Sequence, residues 1–383
     1  MVLASRLAGF GTTIFAEMTA LAAATGAVNL GQGFPDTDGP SVVRDAAVDA
    51  IRAGHNQYPP GPGIPELRAA IAAHQRRFYD VALDPATEVL VTTGATEAIA
   101  AALLGLCEPG DEVLTFEPYY DSYAACIAMA GAERRVVTLR TPAFEFSVDD
   151  LRSAASDRTR VLLLNSPHNP TGKVFTQAEL EQIAAVCIER DLIVITDEVY
   201  EHLVFDGVHI PIATLPGMRD RTLTISSGGK TFSFTGWKVG WVCGPESLLT
   251  AVRTAKQYLT YASGTPFQHA IAVGLALDDE YYASFVAELR TKRDRLSAGL
   301  AATGLDVFPS AGTYFLTVDI RSIGESDGMS FCRTLPERCG VVAVPNVVFY
   351  DDVDTGRPLV RFTFCKRAAV LDEAIDRLGA LAR

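Results

Sequence analysis

The chain lacks the cysteine patterns of disulfide-stabilised and zinc-binding proteins. Its 383 residues include seven cysteines, an odd number, and none of them form a C-x-x-C pair. This count indicates reduced, buried thiols and predicts a cytoplasmic protein. No apolar run approaches the roughly 18 residues of a membrane helix. The N-terminal segment, in which Arg6 and Glu17 interrupt the apolar residues, does not fit a signal peptide.

The chain also has no excess of positive charge. Lysine and arginine number 33 against 46 aspartates and glutamates, which gives a net charge of −13 at pH 7. A surface this acidic repels phosphate backbones, which argues against nucleic-acid binding. Hydrophobic residues make up 48% of the chain and charged residues 21%, an ordinary globular composition. The length predicts two or three domains.

Glycine-rich nucleotide motifs are missing as well. The stretches Gly31–Gly33 and Gly61–Gly63 do not complete the G-x-G-x-x-G fingerprint of nicotinamide-binding domains. Gly229 and Lys230 resemble the end of a P-loop, but Thr224 occupies the position of its first glycine. No H-E-x-x-H motif is present, and no metal site is predicted. The absence of these motifs argues against a nicotinamide-dependent dehydrogenase, a P-loop NTPase and a metalloprotease.

Short apolar runs alternate with amphipathic stretches between residues 87 and 226. Near-continuous Val, Ile and Leu runs separated by helices are typical of a buried, mostly parallel sheet with helices on both faces. The pattern therefore predicts an α/β fold. The predicted strands are 87–91, 111–116, 160–164, 192–196 and 222–226, and the predicted helices are 97–106, 120–130 and 176–190.

The C-terminal region has an α+β pattern, which predicts a second, smaller domain. We expect a large domain at 45–285 and a small domain formed by 1–44 and 286–383. The C-terminal elements predicted are a long helix at Glu280–Gly304, β-rich segments at 314–318, 340–344 and 359–364, and a helix at 370–381.

Four polar motifs follow predicted strands, where open α/β sheets bind ligands. They supply an amine at Lys230, a carboxylate at Asp197, an amide at Asn169 and, at Gly94–Glu97, backbone N–H groups that open a helix. Each motif alone has an ordinary explanation as a surface lysine, a helix N-cap or a turn.

Together, these four groups match what a pyridoxal phosphate site needs, with the helix N-terminus binding the phosphate. Two tryptophans and two phenylalanines lie within eleven residues of Lys230. We expect such surroundings to desolvate the amine and lower its pKa, as a Schiff-base lysine requires.

Several ordered motifs resemble those of class I aminotransferases of pyridoxal-phosphate fold type I, over essentially the whole chain. The motifs are NLGQGFPD, YPPGPG, GATEA, SPHNPTG, DEVY, SSGGKTFSFTGWKVGW and VRFTF. Within the class, the chain is similar to kynurenine, glutamine–phenylpyruvate and methionine aminotransferases. It looks most similar to actinobacterial N-succinyldiaminopimelate aminotransferases, in FAEMTALA, DEVYEHLVFD and LVRFTFCKR. The resemblance implies ping-pong transamination between an amino acid and a 2-oxo acid, in lysine biosynthesis, by a homodimer with shared active sites.

The resemblance also implies roles around the cofactor ring. Lys230 would bind the cofactor aldehyde covalently and transfer the proton. Asp197 would pair with the pyridine nitrogen, and Tyr200 and Asn169 would hydrogen-bond the ring oxygen. Tyr120 would stack on the ring face.

Further residues would hold the phosphate by the same resemblance: the amides of Ala95 and Thr96, the hydroxyl of Ser227, and Lys238. Many class members have arginine where Lys238 stands, but the kynurenine-type subgroup shares this lysine. Tyr58 would reach the phosphate of a partner subunit.

For the substrate, Arg361 would bind the α-carboxylate, helped by Asn169 and the Gly33 amide. The segments 12–25 and 256–268 are candidates for the pocket wall. The sequence leaves open a broad-range kynurenine, methionine or glutamine-type aminotransferase and a cysteine-S-conjugate β-lyase on the same scaffold. A cofactor-binding regulator would need a DNA-binding module, which the sequence does not contain.

Overall fold

Residues 4–382, described by a computed structural model, alternate between strands and helices for most of their length. The strands are β1 Val28–Asn29, β2 Val89–Thr92, β3 Glu112–Glu117, β4 Glu133–Thr138, β5 Thr159–Asn165, β6 Ile193–Asp197, β7 Thr222–Ser227, β8 Gly240–Cys243, β9 Asp306–Val307, β10 Phe315–Asp319, β11 Val341–Val342, β12 Val344–Pro345 and β13 Leu359–Thr363. The α-helices are α1 Ile14–Thr25, α2 Ser41–Arg52, α3 Pro65–Tyr79, α4 Gly94–Leu106, α5 Asp121–Met129, α6 Val148–Ala154, α7 Gln177–Glu189, α8 Gly228–Thr231, α9 Glu246–Leu259, α10 Thr265–Leu275, α11 Asp279–Ala302, α12 Gly328–Cys339, α13 Val353–Gly356 and α14 Ala368–Leu378.

The larger sheet has seven strands in the order β2-β8-β7-β6-β5-β3-β4. Its pairings are parallel except for those that β8 makes with β2 and β7. This arrangement confirms the predicted α/β fold with a mostly parallel sheet. All five predicted strands form, with bounds within two residues of those expected, whereas β4 and β8 were not predicted.

Helices cover both faces of this sheet, and successive side chains of β5 pack alternately against one face and the other. Val161 and Leu163 pack in the cluster that contains the buried side chains of α4 and α5. Leu162 and Leu164 point the other way and pack in the cluster that contains those of α7. Because both faces are buried, the strand consists of consecutive apolar residues rather than an alternating pattern.

The smaller sheet is antiparallel, with the order β12-β13-β10-β9. The long predicted helix is α11, and Gly304 follows it with a φ of +89°. The predicted β-rich segment at 340–344 forms two short strands, β11 and β12, which lie in different sheets.

The N-terminal segment joins the C-terminal region, since β1 pairs in parallel with β11. The predicted domain boundary between residues 285 and 286 lies inside the continuous helix α11. Residues 1–3 and 383 of the predicted small domain lie outside the described residues. The division into two domains stays a prediction.

All seven cysteines are free thiols, six of them buried and Cys339 half-buried. Their burial agrees with the expectation from the sequence. In the part of the chain that the structure describes, no helix combines the length and apolar character needed to cross a membrane.

Candidate active site

A cavity of about 370 Å³ lies at the carboxyl edge of the seven-stranded sheet. Segments that follow β2, β3, β5, β6 and β7 form most of its wall, and Phe15, Phe315 and Arg361 close it from the other side. The structure brings eleven of the twelve residues predicted for the site into this wall: Gly33, Ala95, Thr96, Tyr120, Asn169, Asp197, Tyr200, Ser227, Lys230, Lys238 and Arg361.

Lys230 lies on α8, directly after β7, and its amine points into the cavity. Its Nζ donates to the hydroxyl of Tyr314 at 2.9 Å and lies 3.4 Å from the carbonyl oxygen of Gly33. The Tyr314 hydroxyl also donates to the Gly33 carbonyl, at 2.6 Å. Burial lowers the pKa of Lys230 to about 8, so the neutral, nucleophilic amine is accessible near physiological pH.

The aromatic residues beside Lys230 in the sequence are not the ones that surround its amine. Phe234 stacks on Trp237, with ring centroids 3.9 Å apart, and Phe232 and Trp241 are buried in the core formed with α3 and α10. The rings that face the amine belong to Tyr200 and Tyr314, whose centroids lie 5.7 and 5.6 Å from Nζ. The predicted lowering of the pKa is confirmed in direction, but its expected source was wrong.

Asp197 ends β6 with its carboxylate buried at the cavity floor. Its Oδ2 accepts a hydrogen bond from the hydroxyl of Tyr123 at 2.6 Å, and its Oδ1 accepts from the amide of Val199 at 3.3 Å. Burial raises the pKa of Asp197 to about 6, although these donors oppose the rise. The carboxylate is therefore mostly ionised near pH 7.

A chain of hydrogen bonds joins Asp197 to the predicted substrate arginine. The side-chain amide of Asn165 donates to the backbone carbonyl of Asp197 at 2.8 Å, and its oxygen accepts from the amide of Asn169 at 2.7 Å. The Asn169 side-chain oxygen then accepts from Nη1 of Arg361 at 2.9 Å. This series of hydrogen bonds thus holds Asp197 and Arg361 in place on opposite walls of the cavity.

Arg361 lies in β13 with a buried guanidinium that has only neutral hydrogen-bond partners. Besides Asn169, it donates from Nη2 to the carbonyl of Gly31 at 3.0 Å, and its Nε has no partner among the described residues. Phe15, Phe315 and Phe349 surround it, with ring centroids 4.1 to 5.2 Å from the guanidinium carbon. Burial lowers its pKa to about 10, so it remains charged at pH 7. Among the described residues, no carboxylate forms an ion pair with it, and its two bonded oxygens are neutral.

The N-terminus of α4 and Lys238 converge at one end of the cavity. A Cβ built on Gly94 would lie 3.1 Å from Cε and 3.2 Å from Nζ of Lys238, so the ammonium group lies against the first turn of the helix. The amides of Ala95 and Thr96 belong to that turn, where backbone N–H groups lack helical partners. A cation beside a helix N-terminus is an arrangement that binds phosphate.

Tyr58 is the predicted residue that the structure leaves outside the cavity. Its side chain is 83% exposed, and its ring contacts that of Tyr261 with centroids 5.5 Å apart. Its expected contact with a partner subunit stays a prediction. Of the two segments expected in the pocket wall, 12–25 contributes Phe15, whereas 256–268 does not line the cavity of its own chain.

Sequence reasoning missed Tyr123, Tyr314 and Asn165. Tyr123 lies one helical turn after Tyr120, and this i, i+3 spacing could have indicated a shared face. Asn165 opens the motif that supplied Asn169, so its place at the carboxyl end of β5 was also readable. Tyr314 gave no comparable signal, because its contacts with Gly33 and Lys230 join segments far apart in the chain.

A buried histidine cluster lies outside this cavity. Nε2 of His74 and Nε2 of His202 are 2.7 Å apart, and the nearby carboxylate of Glu201 accepts from Ser226 at 2.5 Å. Burial lowers the pKa of His74 to about 3, and it lowers that of His202 as well. The two neutral rings form a direct hydrogen bond. The absence of a metal stays a prediction.

The donor set of the cavity fits pyridoxal phosphate. An amine with a lowered pKa at Lys230 and a buried carboxylate at Asp197 suit its aldehyde and its pyridine nitrogen. The α4 N-terminus and Lys238 form a cradle that a single Cβ at Gly94 would partly fill, as expected for a phosphate site. The unpaired guanidinium of Arg361 supplies what an α-carboxylate requires.

Comparison with known proteins agrees with this site. Residues 25–378 match the family model described as aminotransferase class I and II. The chain is 56% identical to the Mycobacterium tuberculosis protein named "Probable N-succinyldiaminopimelate aminotransferase DapC", over 99% of this chain and 98% of the relative. It is 39% identical to the methionine aminotransferase of Escherichia coli, over 98% of both chains.

A solved structure of N-succinyldiaminopimelate aminotransferase from Mycobacterium tuberculosis superposes with a TM-score of 0.97, at 56% identity, over 99% of this chain and 100% of that one. This match confirms the predicted fold type, since other solved aminotransferases share it. The family match, the identity and the cavity agree on one class of enzyme. The chain belongs to the class I and II aminotransferase family and is a pyridoxal-phosphate-dependent aminotransferase of fold type I.

Proposed function

We propose that this aminotransferase acts on N-succinyl-diaminopimelate, with glutamate and its 2-oxo acid as the other substrate pair, in lysine biosynthesis. The observation that carries the proposal is the 56% identity to the Mycobacterium tuberculosis relative over nearly the full length of both chains. The methionine aminotransferase is only 39% identical over a similar length, so the broad-range alternative has weaker support.

The cavity residues have distinct roles in this proposal. Pyridoxal phosphate supplies an aldehyde that links to amines and a ring that takes up electron density from the substrate. Lys230 would anchor the aldehyde, Asp197 would face the pyridine nitrogen, and Tyr200 and Asn169 would donate to the ring oxygen. Tyr120 would cover one face of the ring.

The cofactor phosphate would bind at the end of the cavity that the N-terminus of α4 forms. The amides of Ala95 and Thr96, the hydroxyl of Ser227 and the ammonium of Lys238 line this end and provide three kinds of donor. Lys238 supplies charge without the bidentate fork of an arginine, so the helix N-terminus carries more of the geometric specificity here. In a homodimer, Tyr58 of the partner subunit would complete the cradle.

Arg361 and Lys230 act on the amino acid itself. Arg361 binds the α-carboxylate with its free N–H groups, and Gly33 and Asn169 border the same position. This orientation would direct the Cα–H bond toward Lys230, whose neutral Nζ would accept the proton. Proton transfer by a positioned amine contributes a factor of roughly 10²–10⁴ to the rate.

Absorption spectroscopy of the purified holoenzyme tests the proposal. N-succinyl-diaminopimelate, glutamate, kynurenine and methionine are added separately, without a 2-oxo acid. The proposal expects N-succinyl-diaminopimelate and glutamate to convert the visible band to that of pyridoxamine phosphate fastest. A Lys230→Ala variant is the matched control, which lacks the amine and should not convert.

Two other results would overturn the substrate assignment. Faster conversion by kynurenine or methionine would favour the broad-range aminotransferase. Release of ammonia and pyruvate from a cysteine conjugate, with no 2-oxo acid present, would favour the β-lyase. A protein with no visible band after addition of pyridoxal phosphate would contradict the role of Lys230.

A further inference from the structure

Tyr123 is a buried phenol that none of the roles above uses. It lies in α5, one turn after Tyr120, and the two rings meet edge to face with centroids 5.8 Å apart. Both tyrosines border the cavity, and the Tyr123 hydroxyl reaches the carboxylate of Asp197 at 2.6 Å. This is the shortest contact that the carboxylate makes with the described residues, since the Val199 amide is 3.3 Å away.

We infer that Tyr123 is a positioning residue that keeps Asp197 ionised and thereby keeps the proton on the pyridine nitrogen opposite it. The inference rests on the proposed pairing of Asp197 with that nitrogen. A carboxylate and a pyridine nitrogen that share one proton have two states, with the proton on nitrogen or on oxygen. A donor bonded to the carboxylate stabilises only the first state, because a protonated carboxyl group is a weaker acceptor.

The surroundings of Asp197 make this donor important. Burial raises the pKa of the carboxyl group to about 6, and the neighbouring Glu198 raises it further, whereas Lys230 lowers it. The amine of Lys230 no longer carries that charge freely once it is linked to the cofactor. Among the described residues, the other titratable groups that face the carboxylate are the phenols of Tyr120, Tyr123 and Tyr200. Of these, Tyr123 is the one whose hydroxyl donates to it.

The size of the effect follows from the hydrogen bond that is lost in Tyr123→Phe. Removing one donor from a buried carboxylate raises its pKa by roughly one to two pH units. Starting from about 6, the carboxyl group of the variant would be roughly half to nine-tenths protonated at pH 7. Asp197 would then hold the shared proton for a larger fraction of the molecules, and the ring would be a weaker acceptor of electron density.

The test uses holoenzyme reconstituted with pyridoxal phosphate labelled with ¹⁵N in the ring. The ¹⁵N chemical shift at pH 7.5 reports directly whether the nitrogen carries the proton. We expect the native enzyme to give the protonated value, Asp197→Asn the unprotonated value, and Tyr123→Phe a value displaced toward that of Asp197→Asn. Tyr282→Phe is the matched control, because this buried tyrosine lies in a different core cluster, and its shift should equal the native one.

Kinetics provide a second readout that packing damage would not reproduce. In Tyr123→Phe, kcat should fall roughly 10- to 100-fold while the KM of the amino donor stays near the native value, because Arg361 is untouched. If the variant does not bind the cofactor, infrared difference spectra of the apoproteins, with and without Asp197→Asn, measure the carboxyl pKa instead. That pKa should be higher in Tyr123→Phe than in the native chain.

The outcomes distinguish the role of Tyr123 from the proposed role of Asp197, on which it depends. A native ¹⁵N shift in Asp197→Asn would overturn the proposed role of Asp197 itself. A displaced shift in Asp197→Asn combined with a native shift in Tyr123→Phe would overturn only the role of Tyr123. An unchanged carboxyl pKa in the Tyr123→Phe apoprotein would overturn it as well.

Discussion

Replacing Arg361 by glutamine tests the substrate-binding half of the site. Each terminal nitrogen of the guanidinium uses one N–H on a neutral oxygen, from Asn169 or Gly31, which leaves one N–H on each for a carboxylate. Two hydrogen bonds to a charged group contribute roughly 3–6 kcal/mol together. Their loss should lower kcat/KM for an amino acid donor by about 10²–10⁴-fold.

The assay is a single-turnover half-reaction followed by the loss of the visible cofactor band. Two donors are compared, the preferred amino acid and the amine that remains when its α-carboxylate is removed. Arg361→Gln should slow the amino acid strongly and leave the slow reaction of the amine unchanged, because the amine has no carboxylate for Arg361 to bind. Thermal unfolding of the variant serves as the check on the fold.

A particular pair of results would refute this reasoning. If Arg361→Gln slows the amine as much as the amino acid, the arginine maintains the shape of the cavity rather than binding substrate. If neither rate falls tenfold, the unpaired guanidinium is not the carboxylate site. The buried charge would then need another anion, because three aromatic rings and two neutral oxygens do not neutralise it.

Three further predictions concern the floor of the cavity. Lys230→Ala should abolish turnover and leave the far-ultraviolet circular dichroism spectrum unchanged; near-native activity would contradict the role of the amine. The rate at which apoprotein takes up pyridoxal phosphate should rise with pH to a midpoint near 8, because the neutral amine is the nucleophile, and a midpoint near that of free lysine would contradict the lowered pKa. Asp197→Asn should stabilise the apoprotein by about 3 kcal/mol at pH 8, since a rise in pKa from 3.8 to about 6 makes the ionised form costly in the folded state. That gain should shrink as the pH falls through 6 and disappear below about pH 3, where the native carboxyl is protonated in both the folded and the unfolded state, and urea unfolding at pH 8 and pH 3 measures it.

The residues that bind the cofactor could be predicted from the sequence for a physical reason. In a parallel sheet, the carboxyl ends of the strands share one edge, so polar residues that follow separate apolar runs converge without any knowledge of long-range contacts. Asp197 ends β6, and Lys230 and Asn169 follow β7 and β5, which are the neighbours of β6 in the sheet. Burial of that edge then sets the direction of the pKa shifts of Lys230 and Asp197.

Local patterns could not supply the contacts between the two sheets. The sequence around 340–344 predicts a β-rich segment, but its two strands pair with β1 and β13, and a local pattern does not record which partner a strand finds. The amine of Lys230 likewise meets Tyr314 rather than the tryptophans close to it in the sequence. Arg361 could be assigned only by resemblance, since a single arginine in an apolar strand carries no local sign of its ligand.

The hydrogen-bond chain from Asp197 to Arg361 shows why the site is complete only after both sheets have packed. Asn165 bonds with both ends of its amide to backbone groups, so it fixes the distance between the end of β6 and the Asn169 turn. Arg361 then bonds to Asn169 from the opposite sheet. A shift of one sheet against the other would therefore break the Arg361–Asn169 bond before it disturbed Asp197. The substrate anchor therefore depends on both sheets, whereas Asp197 is held by Asn165, Tyr123 and Val199, all of which belong to the parallel sheet or to the segments that follow its strands.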